Sequence, residues 1–444
     1  VGGGIAGLSL AHALKARGLR PGELVVLERS ARVGGKVRSQ RIDGYLCEWG
    51  ANGFLDNSPP TLDLVRAIGL QDRLLPADPR AKRRYIFRDG RLQLVPSGPG
   101  SLLVSSLLTL GGKLRLLREP FAASPPAGDE TIHAFATRRL GPEAADRLVD
   151  PIVSGIYAGD TRRLSLAACF PSLARMEADH GGLLRAMLAG RKAGTGAPFG
   201  RLTSFPEGVE ELARALARAV GDAVRLESPV DALEPASSGY RLRVGNAGLE
   251  ADSVVLAGPA AESARLLSAL EPEAATHLAA TPFASLATIA LGFDERQLKR
   301  PLDGFGFLVP RSEKLRVLGV LWESAIYPGR APAGRVLVRA MIGGTHDPDA
   351  VALDDATLLA LVGRELAVTM QLDAKPVFTF VARHSPGLPQ YTIGHLDRLA
   401  ALERCLERRP GLHLAGNSYR GVAMNSLIAE APALADRLLA SRAP

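Results

Sequence analysis

The chain has 444 residues, 46% hydrophobic and 23% charged, a globular composition too long for one core, so two or three lobes are expected. Its net charge of +8 comes from scattered Lys and Arg without an aromatic-interleaved basic motif. This argues against nucleic acid and leaves an anionic membrane surface or an acidic substrate.

The first element is a glycine turn, Val1-Gly2-Gly3-Gly4-Ile5-Ala6-Gly7, with Gly-x-Gly-x-x-Gly spacing. Gly2 permits a tight strand-to-helix turn, Gly4 a close approach of backbone to pyrophosphate, and Gly7 close packing of helix on sheet. The helix N-terminus offers free N–H groups to phosphate. Val1 stands directly before the turn, so a few further residues are expected to precede it. The apolar run Leu24–Leu27 ends in Glu28, about 20 residues beyond Gly7, where a carboxylate accepts ribose hydroxyls. Together these predict a dinucleotide site. Arg32-Val33-Gly34-Gly35-Lys36 and then Glu48-Trp49-Gly50-Ala51-Asn52 resemble the flavoprotein extension of the fingerprint, which implies FAD rather than a nicotinamide.

Further along, Arg84–Arg88, Asp89-Gly90 and Arg91–Val95 read as a hairpin, since Asp-Gly suits a two-residue turn. From about Gly98 to Gly196 the pattern is helical, with flexible breaks expected at Ser124–Gly128 and Gly190–Pro198. A helix from Glu207 to Val220 precedes short strands at Ala223–Glu227, Tyr240–Val244 and Ser253–Leu256. A second strand-rich stretch covers Thr288–Phe293, Gly306–Val309, Val317–Leu321 and Arg335–Ile342. A last strand, Leu412–Gly416, precedes a helix over Ser426–Ala440. Three widely spaced cysteines and eight histidines show no metal or redox spacing. No apolar run is long enough to span a bilayer and no signal peptide is visible, so a reduced cytoplasmic location is expected.

These stretches resemble the oxygen-dependent protoporphyrinogen oxidase family of FAD enzymes, of the superfamily that holds monoamine oxidases and phytoene desaturases. The resemblance rests on Gly50–Phe54, Lys82–Ile86, Ser154–Asp160 with Leu164-Ser165, Gly304–Pro310, Leu388–Tyr391 with Gly394-His395, and Leu414–Val422. Met341 stands where plant members carry Phe, and His384 where several carry Trp.

The implied fold is α/β: a Rossmann-like FAD-binding domain (1–56, 203–275 and 384–444), an inserted mixed β-sheet substrate domain (57–97 and 276–383) and a helical, membrane-associated lobe (98–202). The implied contacts to non-covalent FAD come from Gly2, Gly4, Gly7, Glu28, Arg29, Gly34, Gly35 and Lys36, then Gly50, Ala51 and Asn52, and finally Val230, Ala257, Gly416, Asn417, Val422 and Met424. No attachment Cys or His is recognised. Substrate would meet Asn52, Arg84, Gly155, Leu308, Leu321 and Met341, with Arg84 on a propionate. No side chain is assigned the hydride step, because flavin does that chemistry, and no metal is expected.

Ordinary readings stand beside these. Leu308 and Leu321 also suit a strand core, Arg84 a solvated charge run, and Asn52 a left-handed turn. His384 reads as structural. Ser101–Leu108 followed by Lys113, Arg115 and Arg118 suits either a membrane-surface helix or a buried one. The implied activity is oxidation of protoporphyrinogen IX to protoporphyrin IX, with O2 as acceptor and peroxide as product, by a protein peripheral on the cytoplasmic membrane. A homodimer is compatible. Two alternatives remain, a coproporphyrinogen III oxidase and a flavin-binding protein without turnover. Amine oxidation lacks that family's aromatic-cage and covalent-flavin context.

Overall fold

In the computed structural model, residues 1–192 and 200–440 are described; 193–199, which overlap the expected break at Gly190–Pro198, lie outside them. The half that carries the glycine turn, the expected cofactor half, draws its paired strands from distant segments. Val26–Leu27 pairs in parallel with Val224–Arg225, and Val254–Leu256 with Leu412–Leu414. Val1 and Gly2 join the two pairs: Gly2 N–H donates to Leu27 O at 2.8 Å, and Ala257 N–H to Val1 O at 2.8 Å. Helix Ile5–Ala16 packs between helices Glu210–Val220 and Met424–Ala440. Helix 210–220 buries Leu212, Ala213, Leu216 and Val220, the stripe that its 3.6-residue period predicts.

A seven-stranded sheet forms the second half. Its order is Phe378–Pro389, Phe283–Asp294, Arg335–Gly343, Val317–Leu321, Gly306–Leu308, Arg84–Arg88, Arg91–Leu94. The Gly306–Leu308 and Arg84–Arg88 strands run parallel, and every other neighbouring pair is antiparallel. Asp89 and Gly90 both take positive φ, 52° and 73°, as a tight hairpin of this type requires. One face carries Ile289, Leu291, Phe307, Val320, Val338 and Ala340 into a core under helix Asp355–Thr369. The opposite face looks toward the cofactor half.

Strand 378–389 departs from the expected boundary at 383. His384 pairs with Leu286 and Leu388 with Ala284, so Ser385-Pro386-Gly387 form a bulge between them, and pairing resumes as far as Pro389 opposite Phe283. The strand lies at the edge of the sheet, where a proline's missing N–H costs no ladder bond.

The lobe at 98–192 is helical, but Ser101–Arg118 is not one surface helix. Helix Pro99–Val104 stops and Leu110–Leu117 starts anew. Ser105 Oγ accepts from Leu107 N–H at 3.2 Å and Thr109 Oγ1 from Gly112 N–H at 3.2 Å, local bonds that compete with a continuous helix. Leu107 and Leu108 are buried. Val104, Leu110, Leu114, Leu117 and Phe121 are exposed, three of them along one face of helix 110–117. No helix among the described residues is long and apolar enough to cross a membrane.

Candidate active site

The glycine turn has the shape its sequence demands. Gly2 has φ +110°, and a Cβ on Gly7 would stand 2.1 Å from Gly2 O. A Cβ on Gly4 would meet nothing within 4 Å, so open space lies over the turn at the start of helix 5–16. Gly34 N–H donates to Gly3 O at 2.8 Å, and a Cβ on Gly35, at φ +57°, would touch Gly4 Cα at 3.4 Å. The two glycine pairs therefore lie side by side. Glu28 is buried; its carboxylate accepts from Gly3 N–H at 2.7 Å and from Ser30 N–H at 2.9 Å. Ala257 packs against Gly7, and Gly416, at φ +119°, lies 3.6 Å from Ala257 O as its Cβ would be built. Val230 is buried beside Leu27. Met424 opens helix 424–440, Val422 packs against the cluster that holds Tyr391, and Asn417 O accepts from Tyr391 O–H at 2.5 Å. Arg29 is on the rim, paired with Glu262 at 3.2 Å. Lys36 lies 5.4 Å over the Phe283 ring and donates to Gly387 O. Burial lowers its pKa to about 8, as expected for a cation packed without a carboxylate.

The segment 49–52 joins this turn to the sheet. Trp49 O accepts from Thr288 Oγ1 at 2.9 Å, and His384 Nε2 lies 2.8 Å from the same oxygen. Gly50 O accepts from Arg339. Exposed Ala51 follows, and the buried Asn52 Nδ2 donates to Glu323 at 3.5 Å. His384 is thus a structural pin, and burial lowers its pKa. Arg38 stacks over Trp49 at 3.9 Å.

On the sheet face toward this segment, register brings four expected residues together. Leu308 stands opposite Gly319, which stands opposite Met341; Gly306 is flanked by Leu321 and Arg84. Since side chains alternate along each strand, Arg84, Leu308, Leu321 and Met341 share this face. The three apolar ones are half-buried and take no part in the core under helix 355–369. Gly155, on helix Asp150–Tyr157, closes the group from the lobe: a Cβ there would stand 2.7 Å from Leu308 Cδ2. Arg84 lies over the Phe305 ring at 5.0 Å, its pKa lowered by desolvation, and has no carboxylate partner among the described residues. Its neighbours Arg80 and Arg83 are paired with Asp78 and Asp303.

Two buried ion pairs were not singled out in the sequence. Arg339 pairs with Glu323 at 2.7 Å, and Arg330 with Glu48 at 3.1 Å. Burial raises the pKa of Glu48 despite the opposing pull of Arg330. A signal for Arg339 was present: an arginine inside the apolar run Val336-Leu337-Val338-Arg339-Ala340-Met341 of a central strand cannot be solvated on both sides.

Residues 5–439 match the flavin-containing amine oxidoreductases. The chain belongs to that family. It is 34% identical to the protoporphyrinogen oxidase of Homo sapiens, covering 96% of this chain and 95% of the human one. It is 31% identical to the coproporphyrinogen III oxidase of Bacillus subtilis (strain 168), over 96% of this chain and 94% of the other. A protein of Exiguobacterium sp. 255-15, provisionally named a protoporphyrinogen oxidase, superposes with a TM-score of 0.86 at 28% identity, covering 99% of this chain and 98% of that one. The protein is therefore an FAD oxidoreductase, and the glycine cradle, with its open space at Gly4 and its buried acid, fits a dinucleotide.

Proposed function

We propose that the protein oxidises protoporphyrinogen IX to protoporphyrin IX in three two-electron steps. FAD held by the glycine turn and Glu28 would supply the hydride acceptor and the route for electrons to O2. The chain's own part is placement. Leu308, Leu321 and Met341 offer a flat apolar face to a macrocycle, and Gly155 admits it close to the lobe. Asn52 sits where the 49–52 segment meets that face. Arg84 holds a propionate through a charge-assisted pair. The observation that carries this reading is Arg84 itself, a guanidinium without a carboxylate partner among the described residues, at the edge of an apolar sheet face.

The same observation favours protoporphyrinogen over coproporphyrinogen III. Four propionates need more cations than two, and the adjacent Arg80 and Arg83 are already committed to Asp78 and Asp303. Aerobic turnover of both porphyrinogens by purified protein, read as porphyrin fluorescence, tests this; faster turnover of coproporphyrinogen III would reverse the assignment. Arg84→Ala is expected to raise KM for protoporphyrinogen IX by roughly ten- to a hundredfold, about 1.4–2.8 kcal/mol, with little change in kcat. An unchanged KM would return Arg84 to the surface charge run.

The protein is also proposed to lie on an anionic membrane surface through the lobe, using Val104, Leu110, Leu114, Leu117 and Phe121. All five are exposed, with Arg118 beside them for lipid headgroups. Sedimentation with anionic vesicles at low salt should weaken as salt screens the cations. Leu114→Asp with Leu117→Asp should abolish it and leave turnover of detergent-solubilised substrate intact, because both positions face solvent. Vesicle binding that survives the double substitution would place attachment elsewhere.

A further inference from the structure

On the outer side of the cofactor half, three unlike donors from two helices converge. Glu273 and His277 stand one turn apart on helix Pro272–Ala279, and Cys405 lies in the last turn of helix His395–Glu407, which packs against it. A carboxylate oxygen, an imidazole nitrogen and the thiol sulfur all lie within 4.8 Å of one another. None belongs to the cofactor or substrate site. We propose that Glu273, His277 and Cys405 form a zinc site with its fourth position open to water.

The donor set selects the metal. Thiolate with imidazole and one carboxylate suits Zn2+ and does not suit Mg2+ or Ca2+, which take oxygen ligands. Tetrahedral zinc, with bonds of about 2.0–2.3 Å, draws donors somewhat closer than they stand here. Glu273 is exposed and His277 half-buried, so both side chains can rotate inward toward the buried sulfur.

Two further observations support a cation here. His277 makes no hydrogen bond among the described residues, so its ring is uncommitted. His277 and Cys405 also sit in the last turns of their helices, the negative ends of both dipoles.

The neighbouring cations do not block the site. Arg408 bridges Glu273 at 2.7 Å and Glu271 at 2.6 Å, and Arg409 binds Glu271 at 2.9 Å. Glu271 retains both guanidinium groups when Glu273 turns to the metal. The site ties together two helices that share a core with strands 254–256 and 412–414, so its effect is expected on stability rather than turnover.

The test is titration of the flavin-loaded holoprotein with Co2+, read as a difference spectrum against the same protein without metal. The expected result is a sulfur-to-cobalt charge-transfer band that saturates near one metal per chain and is displaced by Zn2+. Cys405→Ser should abolish the band, and His277→Ala, at a partly exposed position that does not threaten folding, should weaken binding at least tenfold. Zn2+ should raise the thermal midpoint of the wild type and not that of His277→Ala. No charge-transfer band, or a band that persists undiminished in both variants, would overturn the proposal.

Discussion

Glu28→Ala is expected to purify as nearly colourless protein. The carboxylate has two duties. It already accepts from Gly3 N–H at 2.7 Å and from Ser30 N–H at 2.9 Å, so it fixes the glycine turn against the end of the 26–27 strand. Its remaining lone pairs are those that a ribose would use. Bonds to a charged acceptor contribute about 1.5–3 kcal/mol each. Losing two to the ribose would weaken FAD binding by roughly 10²- to 10⁴-fold, before counting the loosened turn. Glu28→Gln keeps an acceptor but loses the charge, and should fall between. The ratio of flavin to protein absorbance gives occupancy, and circular dichroism checks that the fold survives. Alanine-substituted protein that is yellow at full occupancy would remove Glu28 from the cofactor site. The same preparation tests the attachment chemistry: acid precipitation of wild-type protein should leave the flavin in the supernatant.

The parts of the fold that were legible in the sequence are those where only one residue type satisfies the backbone. Gly2 at φ +110° and Gly7, whose Cβ would strike Gly2 O, have no substitute, and Asp89-Gly90 spells out its own hairpin turn. The sheet residues Leu308, Leu321 and Met341 were located through resemblance; their strands alone could not separate a core from a binding face. Register separates them, by setting Phe307 and Val320 toward helix 355–369 and their neighbours the other way.

What stayed hidden depended on partners far away in the chain. Leu107 looks the same on a membrane surface as in a core, and the cap at Thr109 decides it. That a strand could run through Pro386 depended on the bulge opposite Ser285 and on the strand's place at the sheet edge. Arg339 and Glu323 look like two ordinary charges until the fold removes both from water.

That last pair should give the largest loss of stability. Arg339 and Glu323 are 2% and 1% exposed. Arg339 Nε donates to Glu323 Oε1 at 2.7 Å, and Nη1 donates to Glu48 O at 3.2 Å and to Gly50 O. Arg339→Met fills similar space but leaves the Glu323 carboxylate without its cation, and two carbonyls of the 48–50 segment without a donor. Breaking a buried pair from one side costs about 3–5 kcal/mol, and the unpinned segment should also loosen flavin. Chemical denaturation followed by flavin fluorescence and by circular dichroism would read both effects. Arg339→Lys should recover only part, since one ammonium cannot reproduce the fork between Glu323 and Gly50. Adding Glu323→Leu to Arg339→Met should restore much of the loss, because the penalty lies in the abandoned charge. The two substitutions, in contact, are therefore expected to be strongly non-additive. Flavin retention should not recover in step, since Gly50 O still lacks its donor and Asn52 has now lost Glu323 as well. If Arg339→Met alone stays within about 0.5 kcal/mol of wild type, as surface changes do, the pair does not hold the segment in place.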